Sequence, residues 1–168
     1  YTHAGVSGLQ GNATLLAAVN SVLASTAVTG PLVDTAAELQ AIVDTYQLLL
    51  TGADSNGSDN DVTLSAAQYQ VLGLSSIDTA AKASLLNDVL DAKPAADVDA
   101  HSKLQALTNT VSDITLVASG GTPTAPLTVT RLSELGLNNV SDFYLAAILK
   151  GIEATANDGS GVDTMVKL

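Results

Sequence analysis

The chain contains no cysteine and no tryptophan, a single phenylalanine (Phe143) and a single methionine (Met165). The lack of cysteine excludes disulfides, thiolate metal sites and cysteine nucleophiles together. Basic residues are also scarce, 6 against 17 acidic ones, so the formal charge is −11, and most of the acids are aspartate. A polyanion repels phosphate, which argues against nucleic acid and anionic membrane surfaces as partners and leaves divalent cations open. No stretch approaches the roughly 18 uninterrupted apolar residues of a membrane span, and no charged-then-apolar leader stands at Tyr1. The chain opens without Met, which reads as a processed product or a piece of something longer.

What is present is aliphatic. Hydrophobic residues make up 46% of 168 positions and aromatics only 3%, so a core must be built from Ala, Val, Leu and Ile. That length and apolar content suffice for one ordinary domain or two small ones. Asp, Ser, Thr and Asn favour caps and turns over helix interiors, so much of the polarity is expected at element ends.

The segment VDTAAELQ at 33–40 returns as VDAHSKLQ at 98–105, and its opening returns as VDTMVKL at 162–168, at intervals of 65 and 64 residues. Fixed spacing of this kind marks a repeat array. In the first copy Leu39, Ile42, Val43, Tyr46, Leu49 and Leu50 fall on one helical stripe, and Thr35-Ala36-Ala37-Glu38 has the capping-box form. In the second copy Asp99 is the expected cap, and Leu104, Leu107, Val111, Ile114 and Ala118 supply the stripe up to Gly120-Gly121. The third copy reaches Leu168 as the same helix begins.

A polar loop follows each long helix, Ala53–Asp61 and Ser119–Pro126. Each leads into a short helix with Ser65 or Thr128 as expected N-cap and Leu64 or Leu127 just ahead as staple. Both short helices end alike, in Leu72-Gly73-Leu74 and Leu135-Gly136-Leu137, where glycine suits the left-handed position after a helix. A third helix is expected to open at Ile77-Asp78 and at Val140-Ser141, with Leu85, Leu86 and Val89 matching Ile148, Leu149 and Ile152. Leu15, Leu16 and Val19 match the same places. The expected fold is all-α: tandem three-helix repeats of about 64 residues, as separate helical-bundle modules or as a continuous helical stack. The expected division is 1–32, the closing helix of a preceding repeat; 33–97 and 98–161, two repeat units; and 162–168, the start of a third.

Chemistry needs convergent reactive groups, and the inventory is short: two histidines, three glutamates and one arginine. His3 lies in the N-terminal turn. His101 is expected as a surface residue in the first turn of a helix, because its counterparts are Ala36 and Met165. No G-x-S-x-G, H-E-x-x-H, P-loop or G-x-G-x-x-G pattern occurs, and no catalytic or cofactor-binding residue is expected. Tyr46, Tyr69, Phe143 and Tyr144 are scattered and read as core and boundary fillers.

Calcium is the chemical candidate, with Asp54, Asp59 and Asp61 as its expected ligands, in a loop from Asp54 to Asp61 that is dense in the hard oxygens the ion prefers. The EF-hand register fails: a start at Asp54 puts Asp59 where the turn glycine belongs, and a start at Asp59 puts Leu64 there and no glutamate at the twelfth place. The corresponding loop 119–126 has no acid. Asp158 and Asp163 flank glycines in a similar but sparser segment.

The run VDTAAELQAIVDTY at 33–46, the variable polar loop, the short helix ending LGL, the aliphatic helix and NDGSGVDT at 157–164 resemble the helical repeats of giant, repetitive bacterial surface adhesins. The resemblance implies an exported, extracellular or cell-surface role in attachment or biofilm matrix, with these repeats as a non-catalytic stalk or spacer. Implied partners are neighbouring repeats or copies of the chain, and a matrix or host surface protein. The stretch at 99–113 departs from the pattern, so equal roles for the two units do not follow. Two other readings stand beside the stalk: a self-assembling subunit of a surface filament or layer, whose open ends pack head to tail, and a three-helix protein-binding module.

Overall fold

The computed structural model describes residues 1–59 and 61–168. Among them there are seven α-helices and no strand: α1 Ala13–Leu23, α2 Ala36–Gly52, α3 Ala66–Val71, α4 Ala80–Asp91, α5 His101–Ala118, α6 Val129–Leu135 and α7 Asp142–Glu153. Short 3-10 turns at Thr2–Ala4, Gly30–Leu32 and Ala95–Asp97 complete the order. The chain is all-α, as its composition and periodicity predict. No described helix is long and apolar enough to cross a membrane.

Caps set most of the boundaries. Thr35 and Glu38 close the expected capping box on α2, the Glu38 amide donating to Thr35 Oγ1 at 3.2 Å and the Thr35 amide to Glu38 Oε2 at 3.0 Å. Ser65 and Gln68 form a second box on α3, and Thr128 accepts from the Arg131 amide at the start of α6. Leu64 and Leu127 are buried just ahead of these caps. The endings agree as well. Gly73 and Gly136 take left-handed φ of 79° and 106°, and the following leucines donate back to Tyr69 and Leu132 carbonyls at 3.1 and 3.0 Å.

Two starts differ from expectation. α4 opens at Ala80 under a Thr79 cap, not at Ile77-Asp78, because Ile77 is buried in the core and Asp78 pairs with Lys82. α5 opens at His101 with Ala100 at the cap position and no side-chain cap. Asp99 does not cap it: Lys103 Nζ holds that carboxylate at 2.7 Å and the Ala96 carbonyl at 2.6 Å.

The expected stripes are the buried faces. Ile42, Val43, Tyr46 and Leu49 of α2, and Leu104, Val111, Ile114 and Ala118 of α5, are at most 1% exposed. α5 lies centrally, against α1, α4, α6 and α7, and buries polar positions too. Its threonines solve the problem locally: Thr108, Thr110 and Thr115 donate their hydroxyls to carbonyls one turn back. The buried apolar side chains form one cluster from Val6 to Val162, so the core is continuous across residues 97 and 98.

Candidate functional site

The loop between α2 and α3 brings the three expected aspartates together. One carboxylate oxygen each from Asp54, Asp59 and Asp61 lies within 4.8 Å of the others, the one such group of potential metal ligands among the described residues. Asn60, within the same loop, lies outside the described residues. Local hydrogen bonds shape the loop: the Asn56 amide donates to Asp54 Oδ1 at 2.8 Å, Ser58 Oγ to Asn56 Oδ1 at 2.7 Å, and Asn56 Nδ2 to Asp59. Its far end is anchored by Asp91, 1% exposed at the end of α4, whose Oδ1 accepts the amides of Asp61 and Val62 at 2.9 and 3.3 Å.

Local desolvation, then the charges of Asp54, Asp61 and Asp91, push the Asp59 carboxyl above its ordinary value. Three exposed carboxylates held this close repel one another, and a hard divalent cation is the ligand that would relieve the repulsion. The sparser candidate does not assemble. Asp158 accepts from the Ser160 amide at 2.9 Å, and bonding to the Ser160 side chain first and this amide second holds its carboxyl low, while Asp163 pairs with Lys167 at 2.6 Å.

The loop after α5 is pinned without an acidic cluster. Asp113, 1% exposed, accepts the Thr124 amide and hydroxyl at 2.6 and 2.8 Å and the Arg131 guanidinium at 2.7 Å. Burial alone would raise this carboxyl; the Arg131 and Thr124 bonds outweigh it and hold it below the usual range. Arg131 also donates to the Ala125 and Pro126 carbonyls, so one ion pair fixes the whole turn.

The second cluster is one that the sequence reading missed. His101 is 7% exposed, not a surface residue. Its amide donates to Ser21 Oγ of α1 at 2.8 Å, and its Nε2 is buried with no hydrogen-bond partner. The ring lies over Gly73: a Cβ there would stand 3.4 Å from His101 Nε2 and 2.9 Å from Val28 Cγ2. Beside it, Tyr46 donates its hydroxyl to the Val98 carbonyl at 2.8 Å. Burial pushes the His101 imidazole below its ordinary value, against a smaller opposing contribution from the Leu72 backbone. The one sequence signal was its apolar counterpart Met165.

That counterpart makes a like backbone bond, though it is half-buried and its glycine is less crowded. The Met165 amide donates to Asp88 Oδ2 of α4 at 3.0 Å, and a Cβ on Gly136 would stand 3.7 Å from Met165 Cε. Lys167 bridges Asp163 and the Ser160 carbonyl as Lys103 bridges Asp99 and the Ala96 carbonyl.

Tyr46 and Tyr69 are core residues as expected, but Phe143 and Tyr144 are not fillers. They are 85% and 57% exposed and meet edge to face with centroids 5.0 Å apart, because α7 turns Leu145, Ile148, Leu149 and Ile152 inward and these two outward. His3 is exposed, far along the chain from any other histidine. A solvent-open groove of about 200 Å³ between α4, α5 and the 157–159 turn is lined by Thr79, Lys82, Ser112, Thr115 and Asp158. Compared with protein-family models, curated proteins and solved structures, the chain matches none of them.

Proposed function

We propose that this chain is a non-catalytic structural repeat segment, a stalk or spacer of an exported bacterial cell-surface or adhesin-type protein. The observation that carries the reading is the pair of alike joints at His101 and Met165. Ser21 and Asp88 are each the ninth residue after their helix caps, Asn12 and Thr79. Each accepts the amide at the start of a VD segment downstream, and each partner residue covers the glycine that ends a short helix. A joint used twice in one chain, at the 64-residue interval, is what a tandem array of three-helix units requires. The continuous core favours a helical stack over separate beads. A stack carries load or distance rather than chemistry.

The test is to insert a second copy of residues 98–161 after Gly161 and compare small-angle scattering and unfolding with the parent chain. A stack gains one fixed increment of length and unfolds as cooperatively as before; an insert that stays unfolded or aggregates refutes the repeat reading. Light scattering over a wide concentration range separates the stalk from the self-assembling filament subunit. A constant mass of one chain supports the stalk, and growth with concentration supports the filament. The exposed Phe143 and Tyr144 favour, as a second reading, a protein-binding face on α7.

A further inference from the structure

We propose that His101 is an acid-sensitive latch: neutral, its imidazole packs over Gly73 after α3 while its amide is held by Ser21 of α1, and protonation expels the ring and loosens the start of α5 from both. The seat is built for an uncharged group. Nε2 is buried without a hydrogen-bond partner among the described residues, and it shares the space over Gly73 with Val28 and Ala27: a Cβ on that glycine would meet all three. An added proton there would put a cation into a buried site where the Leu72 backbone offsets only part of the lost hydration, and that cost favours opening.

Among the described residues no unpaired charge faces the ring. α1, the segment 24–29, α3 and the Leu72-Gly73-Leu74 turn contain no ionisable side chain other than Tyr69, which is bonded to Asn87. On α2, Glu38 is held by Thr35, Asp44 accepts from Gln40, and Tyr46 gives its hydroxyl to Val98. At the start of α5 itself, Asp99 and Lys103 are paired with each other at 2.7 Å. On α4, Lys82 pairs with Asp78, Asp88 takes the Met165 amide, and Asp91 takes the Asp61 and Val62 amides. On α6, Arg131 is held by Asp113, and Glu134 lies with Lys93, Asp97 and Lys103 round a groove beside Leu107. The charged residues of α7 are exposed.

The chain supplies its own comparison, since the other joint holds its amide in a like bond to α4 but carries Met165, half-buried, which cannot titrate. The experiment measures urea unfolding from pH 7.5 to pH 5 for the native chain and for His101→Met. A histidine neutral when folded and protonated when unfolded leaves stability intact above about pH 6.5 and lowers it as pH falls further, by up to about tenfold in the folded-to-unfolded ratio per pH unit. The native chain is expected to show that extra loss and the variant to lack it. Independently, in a His3→Ala background that leaves a single imidazole, the ring signal is expected to titrate below the free-histidine value, with the His101 amide losing exchange protection before that of Met165. Equal pH slopes for native chain and variant, or a ring that titrates as free histidine does, would overturn the latch.

Discussion

Ser21 Oγ, on α1, accepts the backbone amide of His101 at 2.8 Å across 80 residues of chain. It does the work of an N-cap from another helix, because Ala100 at the cap position of α5 has no side chain able to do so. Ser21→Ala should therefore cost about 1 kcal/mol, the ordinary value of a lost cap. Thermal unfolding is the check, with an expected fall of roughly 2–4 °C for a chain of this size.

Gly73 and Gly136 share a left-handed φ but differ in what surrounds them. Alanine at either should cost about 1 kcal/mol or more for the conformation alone. At Gly73 the new Cβ would also press on Val28 Cγ2 at 2.9 Å and Ala27 Cβ at 3.0 Å, whereas at Gly136 its nearest neighbour is Met165 Cε at 3.7 Å. Gly73→Ala should be clearly the more damaging of the two in denaturant titrations.

Asp113 and Arg131 form the buried ion pair of the molecule's second loop, with side chains 1% and 19% exposed. Breaking such a pair from one side costs about 3–5 kcal/mol, so Asp113→Asn should lie at the destabilised end of any set of variants. The folded Asp113 carboxyl is held below its usual range, so its stabilisation is present above the ordinary aspartate value and is lost as pH falls through the lower folded one. Acid unfolding of the Asn variant should accordingly be shallower below about pH 4 than that of the native chain.

Asp59→Asn should raise thermal stability in metal-free, low-salt buffer, since it removes one of three mutually repelling carboxylates. The gain should shrink in high salt, where exposed charges are screened. Calcium should reverse the order, stabilising the native chain more than the variant; calorimetric titration with calcium that shows no heat in either protein would remove the loop as a cation site.

The caps at Thr35, Ser65 and Thr128, the two LGL endings and the stripes of α2 and α5 were legible because each depends on residues within a turn or two of itself. The convergence of Asp54, Asp59 and Asp61 was legible for the same reason. What escaped the sequence depends on distant partners. Asp99 looks like a cap until Lys103 claims it, and His101 looks exposed until Ser21 and Gly73 enclose it. Phe143 reads as core by its chemistry, yet the inward face of α7 is already filled by smaller aliphatic residues.

The two buried tyrosines make the fold its own spectroscopic probe. With no tryptophan to mask them, the near-ultraviolet signal of the chain comes from four tyrosines and one phenylalanine. Tyr46 binds the Val98 carbonyl where α5 begins, and Tyr69 binds Asn87 between α3 and α4, so each phenol marks a different seam between helices. Burial holds both hydroxyls protonated far above the ordinary tyrosine value. In alkali they should ionise only when their own seam parts, so a phenolate absorbance trace would separate the opening of one seam from that of the other without any label.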